Sequence, residues 1–157
     1  MTTGKDLMAR SLLDPLTLPD YAALTGEAIA SALETALADM QAAAARIVAD
    51  KPGDFDSAWL PLEAADTALD ALWSAVSHLK SVANTPELRE AHAAGQQRIV
   101  EVMTAVFQDH DLYEVIAALE ASPGFAQRSA ADRAAVEHML RSFRPVSYTH
   151  LRAHETE

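Results

Sequence analysis

Apolar residues recur every three to four positions along most of this chain, the spacing of one face of an α-helix. Ile29, Leu33, Leu37, Met40, Ala44, Ile47 and Val48 make the first stripe and predict a helix from about Thr25 to Ala49. Thr25 can cap its free N–H groups, Glu27 suits the positive end of its dipole, and Lys51-Pro52-Gly53-Asp54 stops it. Leu62, Ala65, Leu69, Leu72, Trp73, Val76, Leu79 and Ala83 predict a second helix from about Ser57 to Val82. Pro61 then falls in the first turn or so, where its missing N–H costs little. His78 lies roughly opposite the centre of that stripe. Asn84-Thr85-Pro86-Glu87 is a start signal for a third helix through Leu88, Ala91, Ile99, Val102, Met103, Val106 and Phe107, with Gly95 weakening its middle. A further helix follows from about His110 to Ala121, with Leu112, Val115, Ile116 and Leu119 apolar, until Ser122-Pro123-Gly124 breaks it. The last opens at Ser129, in capping-box relation to Asp132, and presents Val136, Met139, Leu140 and Phe143 before Pro145 is expected to end it.

The two ends read differently. Residues 1–22 hold no long periodic segment, and Asp14-Pro15 and Leu18-Pro19-Asp20 favour extended or turn backbone. Leu12, Leu13, Leu16, Leu18 and Tyr21 are too apolar for a free tail, so residues 1–22 are expected to form an extended arm on the helical region 23–145. Residues 146–157, VSYTHLRAHETE, lack apolar periodicity and look like a translated sequencing adapter, a non-native read-through tail. The expected fold class is all-α, a bundle of about four to five long helices with an extended N-terminal arm.

Composition agrees with that reading. The chain has 157 residues, about a fifth of them alanine, and only 5 glycines. Acidic residues number 23 against 12 basic ones, a net charge of −11, which disfavours nucleic acid and anionic membrane as partners. The absence of cysteine excludes disulfides, thiol nucleophiles and cysteine metal sites. No apolar run reaches the length of a membrane span and no secretory signal opens the chain, so a cytoplasmic protein is expected.

Chemistry is sparse. His150 and His154 have the spacing of two zinc ligands on a helix, but Leu151 stands where the glutamate base of H-E-x-x-H belongs. The residues three before His78, His92, His110 and His138 are Ala75, Arg89, Phe107 and Ala135, which removes a di-iron bundle of Glu-x-x-His pairs. Ser77 and His78 are adjacent and therefore point about 100° apart on a helix, no arrangement for a nucleophile and its base. Asp66 and Asp70 repel slightly across one turn; they read as a solvated face, with nothing in the sequence to raise either pKa. Trp59, Trp73, Phe55 and Phe107 read as packing. No catalytic, cofactor-binding or metal-binding residue is assigned.

One stretch exceeds generic helix. WSAVSHLKSVANTPELREAH, Trp73 to His92, resembles the N-terminal helical region of the oligopeptidase A and thimet oligopeptidase family of zinc metallopeptidases. SLLDP at Ser11–Pro15, LPDYAAL at Leu18–Leu24, Phe55 with Pro61-Leu62-Glu63, and VEHMLRSFR at Val136–Arg144 extend the resemblance from about Ser11 to Arg144. Gly26 and Ala28 depart from it, standing where the family more often has Pro and His around Glu27.

The resemblance implies an N-terminal piece of a zinc-dependent oligopeptidase that hydrolyses short peptides. The piece would form channel wall and be inactive alone. Zinc, the H-E-x-x-H helix and the peptide-binding residues would belong to a catalytic domain of the same polypeptide, missing here. The residues also admit a stand-alone helical module that binds a partner protein.

Overall fold

In this computed structural model the backbone is described for residues 4–151 and the side chains for residues 8–143. Six α-helices and one 3-10 turn, with no strand, occupy the described residues: α1 (Gly4–Ser11), α2 (Gly26–Asp50), α3 (Phe55–Ala83), α4 (Pro86–Phe107), α5 (His110–Glu120), the turn Phe125–Gln127, and α6 (Ala130–Leu151). The all-α expectation holds.

The helix ends follow local chemistry. Thr25 Oγ1 accepts from the Ala28 N–H at 3.2 Å, and Lys51 adopts a left-handed φ of 45° just past the end of α2. Asp54 Oδ1 accepts from the Ser57 N–H at 2.9 Å, so α3 starts at Phe55, two residues before the expected point. Pro61 therefore lies inside the helix rather than in its first turn. Asn84, with φ 47°, ends α3, and Thr85 Oγ1 caps α4 through the Leu88 N–H at 3.2 Å. Asp109 caps α5 through Leu112 N–H, and Ser129 Oγ caps α6 through Asp132 N–H at 3.1 Å.

Two expectations at the chain ends are corrected. Gly4–Ser11 is helical, not extended; the arm becomes a succession of turns only from Leu12 to Thr25. Pro145 does not end α6, which continues to Leu151. Proline removes one N–H and crowds the carbonyl four residues back, yet a helix can carry it with a local kink. Residues 152–157, including His154, lie outside the described residues, as does the side chain of His150.

The chain divides into two compact units. The first takes the segment ending at Ala43 together with Leu62–Val102. Ile29, Leu33, Leu37 and Met40 of α2, Leu62, Leu69, Leu72 and Val76 of α3, and Leu88 and Val102 of α4 are buried there, with Leu13 and Leu24 of the arm. Arg10 of α1 reaches Asp39 of α2 at 2.9 Å, and Arg98 of α4 reaches Glu34 of α2 at 2.9 Å.

The second unit takes Ala44–Pro61 and the segment from Met103 onward. In it α5 packs against α6, with Leu112, Val115, Ile116, Leu119, Val136, Leu140 and Phe143 buried. Phe143 meets Phe107 and Tyr113 edge-on, at centroid distances of 5.4 and 5.9 Å. Arg128, after the 3-10 turn, stacks 4.2 Å above the Phe55 ring, donates to Asp56 Oδ1 at 2.6 Å and places Nε 3.2 Å from Asp132 Oδ2. The Nε–H is buried and not aligned for a hydrogen bond, so the Asp132 contact is one of charge alone.

Candidate functional site

The stretch from Trp73 to His92 folds as a helical hairpin, the C-terminal half of α3 turning through Asn84-Thr85 into the start of α4. Arg89 locks the turn, its Nη1 donating to the Asn84 carbonyl at 2.7 Å and to Asn84 Oδ1 at 3.2 Å. The hairpin aligns Trp73, Ser77 and His92. The Trp73 indole lies on the His92 ring, centroids 4.9 Å apart and planes 28° from parallel, and its Nε1–H donates to Gln96 Oε1 at 3.2 Å. Ser77 Oγ and His92 Nε2 are 3.4 Å apart, at the outer limit of a hydrogen bond.

Gly95 makes this contact possible. A β-carbon there would stand 2.6 Å from Trp73 Cη2 and 3.0 Å from Leu33 Cδ2. By sequence Gly95 is only a weak point in α4; in the fold it is the place where an indole meets the helix backbone. A glycine in the middle of a strong helix was the available signal, and it did not name Trp73 as the neighbour.

Burial lowers the His92 pKa below its ordinary value, and the ammonium of Lys80 lowers it further. His92 is therefore neutral at pH 7. His78 is exposed, as expected for a residue opposite the apolar stripe, with its ring 5.7 Å from that of Tyr21. Asp66 departs from expectation: partial loss of hydration, and then Asp70 one turn away, raise its pKa even though its side chain reaches solvent. Phe55 and Trp59 are buried and stacked at 5.9 Å, whereas Trp73 and Phe107 are half-buried.

The arrangement can shape a surface and orient aromatic faces. Ser77 and His92 meet only at the outer limit of a hydrogen bond, a longer contact than the roughly 2.6–3.2 Å usual for a nucleophile and its base. Among the described residues no three His, Cys, Asp or Glu side chains come together to hold a metal ion, and none of the helices is long and apolar enough to cross a membrane. No catalytic step is assigned to these residues.

The family model described as Neurolysin/Thimet oligopeptidase, N-terminal domain, matches residues 28–148, running three positions past Pro145 into the segment read as a tail. The chain is 36% identical over 137 residues to oligopeptidase A of Salmonella typhimurium and 34% identical over 137 residues to oligopeptidase A of Escherichia coli. Each alignment covers 87% of this chain and 20% of the relative. A probable cytosolic oligopeptidase A of Arabidopsis thaliana is 23% identical over 141 residues, 90% of this chain and 20% of the relative. The chain thus spans about one fifth of the length of the curated relatives it matches. No solved structure gives a significant match.

Proposed function

We propose, because the chain belongs to the Neurolysin/Thimet oligopeptidase N-terminal domain family, that it serves as the helical N-terminal part of a cytoplasmic zinc-dependent oligopeptidase that hydrolyses short peptides. The observation that carries this reading is the family match over residues 28–148, which includes the Trp73–His92 hairpin. In that role the chain is channel wall: rigid helices restrict entry to short, unfolded peptides. On this reading the zinc and the glutamate base belong to the part of the polypeptide outside the matched segment, which is one fifth of the relatives' length. When bound, that zinc would activate the water that attacks the peptide carbonyl.

Reading the source DNA past the Pro145 codon tests the proposal directly. A frame that continues to H-E-x-x-H is expected; a genomic stop codon just after Glu157 would sink it. A functional test replaces the matched segment of Salmonella oligopeptidase A with residues 11–144 of this chain. The chimaera is expected to cleave a fluorogenic short peptide and to leave a folded protein intact.

A further inference from the structure

Between α1 and α2 the chain presents Pro15-Leu16-Thr17-Leu18-Pro19 with its two leucines turned outward: Leu16 is 94% exposed and Leu18 90%. Nothing loose holds them there. Asp14 accepts from the Leu16 N–H at 3.0 Å and from Thr17 Oγ1 at 2.6 Å, and Thr17 N–H returns to the Asp14 carbonyl at 3.3 Å. Asp20 builds a second turn, accepting from the Ala22 N–H at 3.0 Å. The two prolines fix φ on either side of the leucines. Beside them an open cavity of about 440 Å³ is lined in part by Leu12, Leu18, Pro19, Leu24 and Leu72, while Leu16 stands outside it. The leucines thus form a preorganised apolar knuckle, which a partner can cover with little loss of chain entropy.

We propose that this knuckle docks into an apolar socket with a basic rim on the remaining part of the same oligopeptidase polypeptide; this rests on the function proposed above. Two observations select that occupant. The relatives are about five times longer than the matched segment, which covers 20% of each, so a tethered surface is present at high effective concentration. The leucines also stand between Asp14 and Asp20 on a chain of net charge −11. The Thr17 hydroxyl and the Leu16 N–H hold the Asp14 pKa below its ordinary value, so that charge persists. A second copy of this acidic chain would bring like charge to the contact, whereas a basic rim complements it.

The test compares one substitution pair in two settings. Leu16→Ser with Leu18→Ser is made in the 157-residue chain and in the Salmonella chimaera. Both leucines are exposed in the chain alone, so its melting midpoint should move by no more than about 1 °C, while the chimaera should lose roughly 3 °C or more. Leu16→Met with Leu18→Met should restore the chimaera. An unchanged chimaera overturns the proposal. So does a 157-residue chain that sediments as a dimer and becomes monomeric with the serine pair, since the occupant is then a second copy. A wild-type chimaera that melts as one unit but cuts no peptide counts against the proposed function, and the melting difference still decides the knuckle.

Discussion

Trp73 occupies the space that a side chain at Gly95 would need: a β-carbon at position 95 would stand 2.6 Å from Cη2 and 2.7 Å from Cζ3 of the indole. The indole is rigid and is held by the His92 ring and Gln96, so it cannot yield by a rotamer change. Gly95→Ala should therefore destabilise the chain by about 1–3 kcal/mol, although alanine in a helix would otherwise gain about 1 kcal/mol over glycine. Urea unfolding of the single variant, and of Gly95→Ala with Trp73→Leu, checks this. The second change should recover part of the loss by making room.

His92 ties stability to pH. Its folded pKa lies below the ordinary 6.5, through burial first and Lys80 second, so the unfolded chain binds the proton more readily. The His92 contribution is complete above about pH 6.5 and is lost as pH falls through that value toward the folded pKa. Replacing His92 by Gln should flatten the stability profile in that window and leave the profile above pH 7.5 parallel to the wild type. A histidine pKa at or above 6.5 by NMR would refute the assignment.

Asp66 works in the opposite direction. Its pKa is raised, through lost hydration and then Asp70, so its carboxylate opposes folding once ionised. The penalty is absent below the ordinary value of 3.8 and grows as pH rises through the folded pKa. Asp66→Asn should stabilise the chain at pH 7 by about 0.2–0.5 kcal/mol, the scale of one like-charge pair across a helical turn, and change nothing near pH 2.5. Denaturant midpoints at the two pH values decide it.

Arg128 joins the start of α3 to the entry of α6 within the second unit through the Phe55 ring, Asp56 and Asp132. Its guanidinium is partly exposed, so the ion pairs contribute modestly and the ring contact adds to them. Arg128→Ala should cost about 1–2 kcal/mol. Arg128→Lys keeps the charge but loses the planar face over Phe55, and should recover less than half of that loss. A double-mutant cycle with Phe55→Leu, read by urea unfolding, isolates the ring contact; additive effects would show that the stack contributes nothing.

The helices and their buried faces were legible from residue order. Ile29, Leu33, Leu37 and Met40 on α2, and Leu112, Val115, Ile116 and Leu119 on α5, are buried where three-to-four spacing puts them, because that spacing is a property of the helix alone. Caps at Thr25, Thr85 and Ser129 were legible for the same reason: each acts on N–H groups within three residues of itself. The family could be recognised from the Trp73–His92 stretch, where residue identity carries the signal.

Contacts between distant segments were not legible. Nothing local tells Gly95 that it faces Trp73, Asp66 that it loses hydration, or Arg128 that Phe55 lies beneath it. The arm shows the divide within a few residues. Its prolines announced a break in the helix, but Leu13 is buried and Leu16 is bare because the path of the chain, not the hydrophobicity they share, sets which leucine meets protein and which meets solvent. Periodicity orients a side chain about its own helix axis; only the placement of the neighbouring elements decides what stands on the other side.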